Sequence, residues 1–245
     1  MVVRLSDGRR ALLGGLIDHA PTFPPARLPT AEALAEDRRA RAGTEAWLLG
    51  RLVWPSSRLS ELVDYDQVPL SLVLDGPVPA AGRVEAVEAR WPELPRFEGE
   101  VFVELPLDDR LEQNLEQVQA AGALAKVRCG GERTPASAEL ARFVRACAKA
   151  GLPFKASAGL HRAIRNGAAH GFLNLLAAAL FPERAEEALD EQDPAAFAVD
   201  AERFAWSGLE ADAAAIARMR QEGFRSFGSC SFSEPLDELR ALAIL

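Results

Sequence analysis

Residues 101–157 read VFVELPLDDRLEQNLEQVQAAGALAKVRCGGERTPASAELARFVRACAKAGLPFKAS, which spells strand, helix, strand, helix, strand. Val101 to Leu105 is a β-branched and aromatic run that Pro106 ends. Asp108 is a capping residue for a helix over about residues 109–121. That helix has Leu111, Leu115 and Val118 on one face and Gly122 as its stop. Residues 123–128 form the next strand, and residues 129–133 a loop. Thr134 caps the second helix, Pro135 opens it and Gly151 closes it. Residues 153–157 are again a strand. Strands alternating with helices through short loops predict a parallel sheet covered by helices.

The same pattern extends outward. Residues 211–222 read as a helix stopped by Gly223, residues 224–229 as a strand, and Ser233 as the cap of a last helix. Toward the N-terminus, 46–53 and 69–75 read as strands joined by a helix over about 57–64, and 84–89 as a third. The connections 76–82 and 91–99 hold barely one helical turn. Residues 170–190 are helical in pattern, which leaves a short seventh strand near 198–206. The prediction is an α/β fold, a (β/α)8 TIM-type barrel with shortened early helices and an N-terminal helical arm. It is one domain over 1–245, with the arm over 1–45 and the barrel over 46–245. An open doubly wound sheet is the alternative. A chain of 245 residues suits such a barrel.

Composition narrows the function classes. Hydrophobic residues make up 49% and charged residues 26%, as in a globular protein. The net charge of −8 argues against nucleic-acid or anionic-membrane partners, which would need a basic face. No apolar run is long enough to cross a bilayer as a helix. Three scattered cysteines, Cys129, Cys147 and Cys230, fit neither a disulfide framework nor a zinc site. The reading is therefore a cytoplasmic protein with a small-molecule, anionic substrate and no metal or cofactor. Homo-oligomerisation is left open.

Of 28 basic residues only Lys126, Lys149 and Lys155 are lysines. Lys149 sits late in a helix, as a charge that offsets the helix dipole. The other two lie inside apolar strands, which asks what arginine could not do there. In a parallel barrel the strand carboxyl ends form the working face. That face is predicted to carry Asp75, Glu88, Glu104, Lys126, Arg128, Lys155, Ser157 and His161, then Gly228, Ser229 and Ser231 after the last strand. Period-two alternation puts Lys126 with Arg128, and Lys155 with Ser157, on one side. An amine beside a second cation can lose its proton and attack a carbonyl; arginine cannot. Lys155 and Lys126 are the candidate amines, with Glu104 as proton shuttle. The other residues, with Asp18, are candidate substrate ligands. Asp18 opens the proline-rich loop 18–25, predicted either to close over a barrel mouth near the lysines or to plug the amino-terminal end.

Residues 154–160, FKASAGL, resemble the lysine-bearing strand motifs of deoxyribose-phosphate-type class I aldolases. Residues 227–231, FGSCS, are similar to that family's last-strand phosphate loop. The family's two lysines lie on later strands than these. The ends of the chain, Asp18 to Pro25 and Ser226 to Phe232, also resemble a group of bacterial proteins of unassigned function. The aldolase resemblance implies Schiff-base lyase chemistry on a small, phosphorylated carbonyl compound. The alternatives are a noncatalytic anion- or sugar-phosphate-binding barrel and a metal-dependent lyase.

Overall fold

Period-two strands with two buried faces must sort their side chains between a barrel lumen and a helix-covered exterior. The computed structural model, which describes residues 7–63, 65, 68–78, 80 and 82–245, shows that sorting. Seven parallel strands follow in order: β1 (Ile17–His19), β2 (Leu49–Pro55), β3 (Leu70–Val73), β4 (Val84–Arg90), β5 (Glu100–Glu104), β6 (Leu124–Arg128) and β7 (Phe154–Ser157). β8 (Phe197–Val199), β9 (Arg203–Trp206) and β10 (Leu209–Asp212) form a separate antiparallel sheet. β11 (Phe224–Ser229) then inserts between β7 and β1 and closes an eight-stranded barrel. The fold is a (β/α)8 TIM-type barrel, as the pattern predicts.

Two strands are not where the sequence pattern placed them. The segment expected to be an arm, 1–45, supplies the first barrel strand. β1 pairs with β11 through Asp18 and Gly228 and also with β2, so Asp18 and His19 belong to the barrel wall rather than to a loop. It is flanked by two helices, α1 (Gly8–Leu13) and α2 (Thr30–Ala42). Residues 198–206 are not a barrel strand. They fall in the antiparallel sheet, where Ser207 and Gly208 make the β9–β10 turn at φ of 47° and 80°. Both central residues at positive φ match the twist of a tight hairpin. The region expected to start a helix at 211 is still strand there, and the helix α7 begins at Ala213, capped by the Asp212 carboxylate on Ala215 N.

The central helices are close to prediction. α3 (Leu111–Ala120) and α4 (Ser137–Ala150) cover β5 to β7. α4 starts later than the Thr134-Pro135 signal suggests, because Glu139 reaches back to Ala136 N at 2.8 Å and fixes the first turn there. α5 (Phe172–Leu180) and α6 (Ala185–Asp190) follow β7, and α8 (Ser233–Ala241) follows β11. Between β2 and β3 the described residues form a 3-10 helix, Ser56–Glu61, in place of the α-helix expected over 57–64, whose last position lies outside the described residues.

The apolar core is the shell between strands and helices. Phe154 of β7 faces outward, edge-on to Phe143 of α4 at 5.3 Å and stacked on Phe224 of β11 at 5.2 Å. Phe172 of α5 stacks on Phe227 at 5.2 Å. The residue after Phe154 is Lys155, and it faces the opposite way, into the lumen. Truncating Phe154 to alanine should cost about 3–5 kcal/mol, read by chemical denaturation. A loss below about 1 kcal/mol would show that this shell does not hold β7 to β11.

Candidate active site

The lumen of this barrel is charged. Lys155, only 1% exposed, sits between two carboxylates. Its Nζ donates to Asp18 Oδ2 at 2.6 Å and to Glu88 Oε1 at 2.6 Å. The Phe102 ring lies 5.4 Å from the same nitrogen. Glu88 then meets a second cation, Lys126 Nζ, at 2.9 Å through its other oxygen. Lys126 lies 3.0 Å from Glu104 Oε2, and Glu104 accepts from Arg128 Nε at 3.0 Å. Carboxylates and cations alternate from Asp18 to Arg128, three of each. Buried charges persist only when paired in this way.

Strand register builds the chain. Glu104 pairs with Lys126, and Lys126 with Lys155, on adjacent strands β5, β6 and β7. Arg128, Ser157, Gly228 and Asp18 form the next row. Hydroxyls complete it: Ser71 Oγ donates to Glu88 at 2.7 Å and Ser226 Oγ to Asp18 at 2.7 Å. Arg51 N donates to Asp18 Oδ1 at 2.9 Å. Gly50 makes room for that carboxylate, since a Cβ there would come within 2.4 Å of Asp18 Oδ1.

Protonation follows from the pairing. Burial works against the Lys155 charge, but Asp18 and Glu88 outweigh it and hold its pKa above the usual lysine value. Burial likewise pushes Glu88 upward, yet Lys126 and Lys155 bring it well below the usual carboxylate range. Glu104 is lowered against its own burial by Lys126 and Arg128. The sequence-based expectation of a depressed Lys155 pKa is therefore corrected. A second cation is present, but the carboxylates inserted between the two lysines dominate.

Of the residues predicted for the site, Asp18, Glu88, Glu104, Lys126, Arg128 and Lys155 converge. Ser157 stands 3.4 Å from Glu104 Oε2, and Gly228 faces the mouth, with no atom within 4 Å of where its Cβ would be. Four do not join them. Asp75 is a turn residue held by Ser56 and by Ser57, at 2.7 Å through Ser57 Oγ. His161 pairs with Glu234 of α8 at 2.7 Å. Ser229 Oγ donates to Ser231 O at 2.6 Å, and the Ser231 hydroxyl meets that of Ser233, so both serines close the β11–α8 turn. A metal set of His161, Glu104 and Asp75 does not assemble. Sequence reasoning missed Ser71, Ser226 and Gly50. For Ser71 the signal was a lone hydroxyl inside the apolar strand LSLV.

On the outer side of β1, His19 Nδ1 lies 2.8 Å from Asp37, which also accepts from Tyr65 at 2.6 Å and Arg41 at 2.7 Å. Burial opposes the imidazolium, but Asp37 and Glu36 raise the His19 pKa above its ordinary value. β1 is thus fixed by charge on both faces.

Replacing Glu88 by glutamine leaves both lysines short of a counter-charge, and should cost about 3–5 kcal/mol at neutral pH. The native Glu88 carboxylate has a lowered pKa, so its stabilisation is present above the unfolded value of about 4.5 and lost as the pH falls through the folded value. The variant should therefore show a shallower decline in stability below about pH 4.5. Urea denaturation across that range measures both effects. An unchanged acid slope would contradict the pairing.

Comparison with protein-family models, with curated proteins and with solved structures returned no match.

Proposed function

We propose that the barrel is a lyase or isomerase acting on a small carbonyl compound, with Lys126 as the amine that meets the substrate. The observation that carries this reading is the unequal pairing of the two lumenal lysines, with carboxylate contacts of 2.6 Å at Lys155 and of 2.9 and 3.0 Å at Lys126. Lys155 is held by two hydrogen bonds of 2.6 Å and keeps its proton. Lys126 is in register with Lys155, but its side chain is 6% exposed and its ion pair with Glu104 adjoins the exposed Arg128.

The chemistry follows from those neighbours. Lys126 passes a proton to Glu104, 3.0 Å away, and its lone pair adds to the carbonyl carbon. A second amine proton moves to the carbonyl oxygen to give a carbinolamine, and Glu104 returns the first to that hydroxyl, which leaves as water. The resulting iminium withdraws electrons from the adjacent C–C or C–H bond, as a class I lyase or an isomerase requires. Lys155 and Glu88 stay charged throughout and anchor the amine from below. The resemblance of residues 154–160 to deoxyribose-phosphate-type aldolases supports the same reaction type, although it falls on the clamped lysine.

A noncatalytic anion-binding barrel is the second reading. It is favoured by Arg128, whose side chain is 42% exposed at the mouth. Borohydride trapping separates the two. Incubation with 2-oxobutanoate or glyceraldehyde and borohydride should add mass at Lys126, mapped by peptide mass spectrometry. Lys126→Arg should abolish the adduct. Labelling confined to Lys155, or no adduct with either compound, would contradict the proposal.

A further inference from the structure

The row of residues above Lys126 divides the barrel mouth into two halves. Glu88 and Glu104 face the lumen, so residues in register with them, or two positions along the same strand, share that side. Val73 pairs with Glu88 and Pro55 with Val73, so the β2 and β3 residues in register with Glu88 are apolar. Gly228 of β11 adds a position with no side chain. The opposite rim is cationic. Arg90 of β4 pairs with Glu104 of β5, and Arg128 of β6 follows two residues after Lys126.

Arg90 is the one charge in this row that the alternating chain does not use. It is exposed, and its guanidinium has no ion-pair or hydrogen-bond partner among the described residues. The six groups from Asp18 to Arg128 already sum to zero. Arg90 therefore gives this row one positive charge beyond its carboxylates, one strand from Glu104 and two from Lys126.

We infer that Arg90, with Arg128, binds a carboxylate of the substrate, so that the substrate class is a small 2-oxo acid. The inference rests on the proposed amine chemistry for the substrate's carbonyl end. A single surplus charge matches a monoanionic carboxylate better than a phosphate dianion. A planar carboxylate also fits the two-pronged guanidinium. The β11–α8 turn, expected from sequence to hold a phosphate, is poorly suited to an anion. Its serine hydroxyls bond one another, and Glu234 and Glu238 of α8 lie against it, facing His161 and Arg162.

Calorimetry with compounds that cannot form an imine tests the anion site apart from the amine. The probes are 2-hydroxybutanoate, its neutral amide and inorganic phosphate, titrated into the full chain. The expected result is that the carboxylate binds, and that the amide binds at least tenfold more weakly. Arg90→Gln should weaken the carboxylate by about tenfold to a hundredfold and leave the amide unchanged, while Arg90→Lys recovers part of the loss. Equal binding of acid and amide, indifference to Arg90→Gln, or phosphate binding tighter than the carboxylate would each overturn the inference. If the Arg90-dependent binding holds but 2-oxobutanoate leaves no trapped adduct, the amine reading fails and the anion site stands. If an adduct forms at Lys126 with no Arg90 dependence, the reverse is true.

Discussion

The ammonium of Lys155, held between Asp18 and Glu88, is the contact on which the rest of the lumen depends. A lysine buried to 1% exposure is tolerable only with counter-charges in place. Those come from β1 and β4, so the contact ties three strands that lie 137 and 67 residues apart in sequence. Its geometry also dictates what surrounds it. Ser71 and Ser226 satisfy remaining carboxylate lone pairs, and Gly50 leaves the space that Asp18 occupies. Once Glu88 is charged, Lys126 becomes its second partner, and Glu104 and Arg128 continue the alternation outward.

Stability and chemistry are thereby divided between two surfaces of the same strands. The outer faces supply the apolar packing, with Phe154, Phe224 and Phe227 against the helices. The inner faces supply little hydrophobic burial and hold charges in fixed positions. Preorganised charges of this kind need no rearrangement when charge develops on a substrate. The arrangement also assigns different work to chemically identical side chains. Lys155 is too well paired to act as a nucleophile, and its role is to fix Glu88. Lys126 is also paired with two carboxylates, but at the longer distances of 2.9 and 3.0 Å and with a slightly more exposed side chain.

Much of this was legible in the sequence. Strand–helix alternation over residues 101–157 predicted the barrel, and two lysines inside apolar strands marked the lumen. Glu88, Glu104 and Arg128 followed from their strand-end positions. The failures share a cause. β1 was hidden because both Asp18 and His19 are polar and both are buried, one toward Lys155 and the other toward Asp37. Polar residues usually signal a loop, and only their distant partners make a strand of them. The segment 198–206 misled in the opposite direction, because its apolar residues serve a flanking antiparallel sheet. Asp75, His161 and Ser231 sit in loops and Ser229 ends β11, where sequence position cannot tell a lumenal side chain from one that closes a turn. The direction of the Lys155 shift was also beyond sequence. It depends on whether a cation or a carboxylate is the nearer neighbour, and the distances decide that.

The most direct test of this account is the titration of the lysine side chains by NMR in protein labelled with carbon-13 at lysine Cε. With only three lysines in the chain, each resonance is assignable by single substitution. The account predicts that the Lys155 signal stays in its charged position through the range where an ordinary lysine, with a pKa of about 10.4, loses its proton. It predicts as well that Asp18→Asn brings the Lys155 transition down. A Lys155 signal that titrates below the ordinary lysine value, or one indifferent to Asp18, would contradict the central clamp.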